Sequence, residues 1–160
     1  MNKETRKQRI EELKKKNLKK QLEEKFKCIC ASITDFEFLT SKEIELRFQN
    51  IYSNDQEPQI RFRHNLNRIM EEMSFLQEEF GAYRNEYILL YQKEILPSYR
   101  LKLRFEDFWN NLNLIADFLN LEDESSLFLF TLLGYKKNFG IFIYEDEYGL
   151  DHILFWKENF

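Results

Sequence analysis

Only four of the 160 residues are glycine, two are proline, two are cysteine and two are histidine. So little Gly and Pro excludes long flexible linkers, collagen-like repeats and low-complexity architectures. Cys28 and Cys30 do not make a disulfide framework, and one intervening residue leaves them too close for an ordinary bridge to each other. A reducing compartment is expected, and with it a cytoplasmic location. The longest apolar run, residues 127–133, spans seven positions with Thr131 inside it, which excludes a transmembrane helix. The first residues, Met1-Asn2-Lys3-Glu4-Thr5-Arg6-Lys7, lead into more charge and argue against a secretory signal.

The signatures of familiar chemistry are missing as well. There is no G-x-S-x-G elbow, no Walker A loop and no G-x-G-x-x-G, because the four glycines lie far apart. His64 and His152 are the only imidazoles, the usual proton shuttles near neutral pH. Asp151 precedes His152 directly, but neighbours on a strand point to opposite faces and make a poor orienting pair. A zinc site begun by Cys28 and Cys30 needs two further ligands, and without carboxylates only the two histidines are at hand. Free cysteines are common in cores. No metal or cofactor is expected, and the chain reads as a non-enzyme. An enzyme using only carboxylates and His is retained as a second alternative, because twenty-eight acids allow some pairing in space.

What remains is a globular composition. Hydrophobic residues make up 43%, aromatics 16% and charged residues 32%, with sixteen Phe and a formal net charge of −4. One domain of this length buries roughly 70% of the surface its unfolded chain exposes. Charge is unevenly spread: residues 1–30 hold eleven Lys/Arg against five Asp/Glu, 31–100 hold eight against twelve, and 101–160 hold five against eleven. A basic helical arm (1–27) joined to an acidic α+β body (28–160) is therefore expected.

Periodicity fills in the elements. From Lys3 to about Phe26 no Gly or Pro occurs, and Ile10, Leu18, Leu22 and Phe26 recur at multiples of four. The order Glu11–Lys15, Glu12–Lys16 and Glu23–Lys27 favours that helix. Thr40-Ser41-Lys42-Glu43 fits a capping box with Thr40 as N-cap, residues 53–58 read as a loop, and His64 to Phe80 reads helical up to Gly81. Residues 83–91 are rich in β-formers, 101–105 alternate like a strand, and Phe108 to Leu119 form a helical face. Glu122-Asp123-Glu124 opens what reads as a short helix to Leu133, closed by Gly134. The ending is the best strand signal: residues 139–144 and 151–156 flank an acidic loop containing Gly149, an antiparallel hairpin. The expected fold is α+β: a single domain with a basic N-terminal helix, further helices and a C-terminal β-hairpin or small sheet.

Two regions invite a partner. Glu145, Asp146, Glu147 and Asp151 are interleaved with Tyr144 and Tyr148, joining mutually repelling carboxylates to the aromatic type that anchors interfaces. Glu122, Asp123 and Glu124 form a second acidic group. Both suit docking onto a cationic protein, a toxin or enzyme domain. The alternative is nucleic-acid binding through Lys14, Lys15, Lys16, Lys19 and Lys20, since phosphate contacts need only dense positive charge. In general character the chain resembles the small, acidic, aromatic-rich immunity proteins of bacterial toxin–immunity pairs. The resemblance is one of type and covers no defined segment. It implies a cytoplasmic, non-catalytic inhibitor that occludes the active site of a basic, nuclease-like toxin.

Overall fold

The computed structural model describes residues 3–53, 56–121 and 128–158. In chain order it has α1 (Lys3–Ile29), β1 (Phe36–Leu39), α2 (Lys42–Tyr52), β2 (Ile60–Arg63) and α3 (Leu66–Glu79). A 3₁₀ turn (Gly81–Tyr83), β3 (Tyr87–Tyr91), β4 (Arg100–Arg104), α4 (Phe105–Asn110) and α5 (Leu112–Phe118) follow. The chain then closes with β5 (Phe128–Gly134), β6 (Gly140–Glu145) and β7 (Leu150–Trp156). The strands form one antiparallel sheet in the order β1-β4-β3-β5-β6-β7-β2. The α+β class is the one the sequence leads one to expect. Among the described residues no helix is long and apolar enough to cross a membrane.

Both faces of the sheet are covered, which explains the poor alternation in its central strands. Ile88, Leu90, Leu101, Leu103, Leu132, Ile141, Ile143 and Ile153 point into the main core with Phe26, Met73, Phe108, Ile115 and Phe118 from the helices. Leu89 and Leu133 point the other way, onto Phe48, with Ile44, Ile51 and Trp156 around them. Gly140 lies opposite Trp156 across the β6–β7 pair. A Cβ there would stand 2.4 Å from the indole, so the ring needs a glycine beneath it.

Residues 128–133 are strand, not the end of a short helix, and β5 sits mid-sheet between β3 and β6. A strand buried on both sides is a continuous apolar run, which periodicity cannot tell from a buried helix segment. Residues 122–127, where that helix would begin, lie outside the described residues, as do residues 54–55 of the expected 53–58 loop. The N-cap of α2 is Ser41, whose hydroxyl accepts from the Ile44 amide at 3.1 Å, one residue later than Thr40. The helical face from Phe108 to Leu119 is broken at Asn111, whose side chain donates to the Asp107 carbonyl at 2.9 Å. That local bond competes with helix continuation.

Only half of α1 behaves as an arm. Residues 3–17 are exposed, including Ile10 and Leu13, whereas Leu22 and Phe26 are buried. The Phe26 ring lies 4.6 Å from Phe36 and 5.1 Å from Phe118, centroid to centroid. The Tyr99 hydroxyl donates to the Lys15 carbonyl at 3.0 Å, close to the point where the helix leaves the body. At about 1.5 Å per residue the free part extends roughly 20 Å. Phe26→Ala is expected to cost about 3–5 kcal/mol in urea unfolding, whereas Leu13→Ala should change stability by less than about 0.5 kcal/mol.

Candidate functional site

The β6–β7 hairpin is built by its loop. The register runs from Gly140 opposite Trp156 to Glu145 opposite Asp151, leaving Asp146 to Leu150 between the last paired residues to turn the chain. Gly149 has φ +75, the left-handed conformation that closes such loops and that a side chain strains. Asp146 pins the turn: one carboxylate oxygen accepts from the amides of Tyr148 (2.9 Å) and Leu150 (3.0 Å). The other lies 2.7 Å from His152 Nε2. The His152 ring stacks on Tyr144 at 4.9 Å with an interplanar angle of 11°. The buried His152 Nδ1 has no hydrogen-bond partner among the protein atoms, as suits a ring whose proton sits on Nε2 facing Asp146.

A second cluster lies on the opposite face of the same hairpin. Glu145 and Asp151 are direct cross-strand neighbours, an arrangement in which two like charges repel. His64, just past β2, stands between them: its Nδ1 is 2.9 Å from Asp151 Oδ1 and 3.6 Å from Glu145 Oε2. The His64 amide donates to the Gly149 carbonyl at 3.0 Å, which ties the β2–α3 connection to the hairpin loop. Asp151 Oδ2 accepts from the Asn65 amide at 3.1 Å, and the Asn65 side chain caps α3 by accepting from the Arg68 amide. The Asp151 side chain is fully buried, that of Glu145 is 13% exposed and that of His64 29%. The three potential ligand atoms lie within 4.8 Å of one another, so this set is the one that could hold a metal ion among the described residues.

The expected contact residues therefore separate into a base and a tip. Asp151 is taken off the surface by burial, Glu145 and Asp146 are turned toward the histidines, and Tyr144 is stacked and half-buried. Glu147 and Tyr148 project, and Tyr148 is 81% exposed, the most open large hydrophobic side chain among the described residues. Glu122, Asp123 and Glu124 lie outside the described residues. Lys14, Lys15, Lys16 and Lys20 are exposed on α1, while Lys19 is half-buried. Lys19 and Lys20 reach Glu23 and Glu24 at 4.0 and 3.9 Å.

Other polar features support the scaffold. Cys28 is exposed and Cys30 is buried, so the two thiols do not converge, and burial pushes Cys30 up to about 11. Arg100 is buried with its guanidinium 3.6 Å from the Tyr91 ring centroid and 4.8 Å from that of Phe48. Desolvation lowers its pKa, and it also pushes the nearby Tyr52 hydroxyl up to about 12. Between α2 and the sheet lies a cavity of about 300 Å³ lined by Arg47, Asn50, Gln56, Asn138 and Trp156 among others. Arg47 is spent there on the Gly134 and Tyr135 carbonyls, and Asn138 on the Trp156 indole.

Sequence reasoning missed His64 as a partner of the hairpin. The contact joins residues 87 apart, and no local pattern signals it. No protein-family model matches the chain, and no curated protein or solved structure matches it either.

The His152 hydrogen bond, followed by the Leu150 amide, holds the Asp146 carboxyl below the ordinary carboxylate range. Its folded pKa lies under its unfolded value, so the stabilisation is complete above the unfolded value and is lost as pH falls through the folded one. Protection of the Tyr148 and Leu150 amides against hydrogen exchange should therefore persist as pH falls to the ordinary aspartate value of about 4 and collapse only further below it. In Asp146→Ala it should be low at every pH.

Proposed function

We propose that the protein is a non-catalytic protein-binding module that docks through Glu147 and Tyr148 at the tip of its C-terminal hairpin. The partner class that fits is a cationic domain, and the mode is that of a cytoplasmic inhibitor, such as a bacterial toxin-immunity protein covering the active site of a basic, nuclease-like toxin. One observation carries the reading: Tyr148 is 81% exposed on a turn that Asp146 holds with two backbone hydrogen bonds and a third to His152. A large amphipathic ring presented on a fixed backbone loses little entropy on binding, which is what an interface anchor needs. Glu147 adds charge beside it, and residues 31–160 together hold thirteen Lys/Arg against twenty-three Asp/Glu. Such a field steers a basic partner toward the tip. Asp151 contributes from behind by fixing the hairpin base. Glu122, Asp123 and Glu124 remain a second acidic group in this reading.

A nucleic-acid reading is favoured by one different observation, the exposure of Lys14, Lys15, Lys16 and Lys20 on α1 where it stands clear of the body or begins to leave it. The two readings part under nuclease. Tagged protein recovered from its native host after nuclease treatment is expected to retain one stoichiometric basic protein. Tyr148→Ala should weaken that complex about thirtyfold, the effect of a ~2 kcal/mol anchor. Glu147→Lys should slow association most at low salt. A partner lost on nuclease treatment would move the function to α1. A protein partner held equally well by both variants would remove the tip from the interface.

A further inference from the structure

We propose that His64, Glu145 and Asp151 form a binding site for a first-row divalent cation of the zinc type, which clamps the hairpin base to the β2–α3 connection. The donor set is one imidazole nitrogen and two carboxylate oxygens. That mixture suits Zn²⁺ and its transition-metal neighbours, whereas Ca²⁺ and Mg²⁺ take oxygen donors. Bond lengths of about 2.0–2.2 Å place the ligand atoms around such an ion roughly 3–3.6 Å apart. The imidazole-to-carboxylate separations are already 2.9 and 3.6 Å, and no pair in the set exceeds 4.8 Å. Against the spacing such an ion requires, the widest separation the set allows has to close by roughly 1 Å.

Charge points the same way. Glu145 and Asp151 face each other across adjacent strands, one of them with no solvent exposure. Among the described residues no Lys or Arg lies within 4.0 Å of either carboxylate, and His64 alone forms an ion-pair contact with them. A protonated His64 beside two carboxylates leaves one negative charge uncompensated. A divalent ion beside a neutral imidazole leaves none. Burial makes that difference matter, because uncompensated charge is costly out of water. The ion takes the place of the Nδ1 proton, which passes to solvent.

The surroundings are those of a supported ligand set. The Asn65 amide holds Asp151 Oδ2 and leaves Oδ1 directed at His64, as hydrogen-bonded ligands in metal sites are held. His64 and Glu145 are 29% and 13% exposed, so an ion can enter from that side and keep a position open to water. His152 is tied to Asp146 on the other face of the sheet and is not a ligand. The site stands whether or not the hairpin tip docks a partner.

Zinc titrated into the full chain in a calorimeter, with a chromophoric chelator as competitor, tests this. One equivalent is expected to bind with a micromolar or lower Kd. The melting temperature should rise on the order of 5–10 °C at a hundredfold excess over Kd. Glu145→Gln and His64→Gln should each weaken binding at least tenfold, and Cys28→Ser, which removes the exposed thiol, should leave it unchanged. Glu145 lies at the rim, so its variant is expected to fold, and circular dichroism of each metal-free variant checks this. Binding weaker than about 100 μM, binding unchanged in Glu145→Gln, or binding abolished by Cys28→Ser would each overturn the site.

Discussion

A carboxylate with no access to water has to be satisfied by the protein, and Asp151 is satisfied by groups 86 and 87 residues away in the chain. Both lie in the short connection between β2 and α3, whose backbone also donates to Gly149. Removing either partner would leave one oxygen of the buried carboxylate without its hydrogen bond, a cost of about 1–3 kcal/mol. That requirement joins the last strand to the edge strand β2, which has four residues and pairs only with β7. It also starts α3, because the residue that donates to Asp151 is the α3 N-cap. The hairpin base becomes rigid, and its loop is the part left free to project.

The abundance of phenylalanine and the shortage of glycine serve the same end. Phe80 stands within 6.0 Å of Phe105 and 5.9 Å of Phe139, and Phe105 stacks on Phe139 at 5.4 Å, so helices and sheet are joined by ring contacts. On the far face α2 lies over Leu89 and Leu133, and Arg100 fits between Tyr91 and Phe48 rather than facing a carboxylate. A sheet covered on both sides presents little open strand surface to a partner. Two described features stand out from the body, the N-terminal half of α1 and the hairpin tip, and their charges are opposite in sign. The proposed function follows from that contrast, and it places the anchor on the feature whose backbone is held.

Legibility in the sequence followed locality. The C-terminal hairpin was readable because a glycine-containing acidic loop joins two β-rich runs, and α1 because an uninterrupted stretch repeats apolar residues at multiples of four. β5 was misread because a strand buried on both faces carries no period. The four-residue strands β1 and β2 were missed because so short a run holds barely two alternations. In the sequence Asp151 reads as a contact residue because it sits among acids. Strand parity could not correct this, since Ile153 and Leu154 are apolar on both sides of the sheet. Its partnership with His64 depends on two strands meeting at the sheet edge, which is a property of the topology.

The central claim is that Asp151 and His64 act as one unit holding the hairpin to the edge of the sheet. A double-mutant cycle in urea, with His64→Gln, Asp151→Asn and the pair measured in chelator, tests it most directly. The account predicts non-additive losses, with a coupling of about 1–3 kcal/mol between the two positions. Additive losses, with coupling under about 0.3 kcal/mol, would mean that the two residues do not sense each other, and the account of the hairpin base would be wrong.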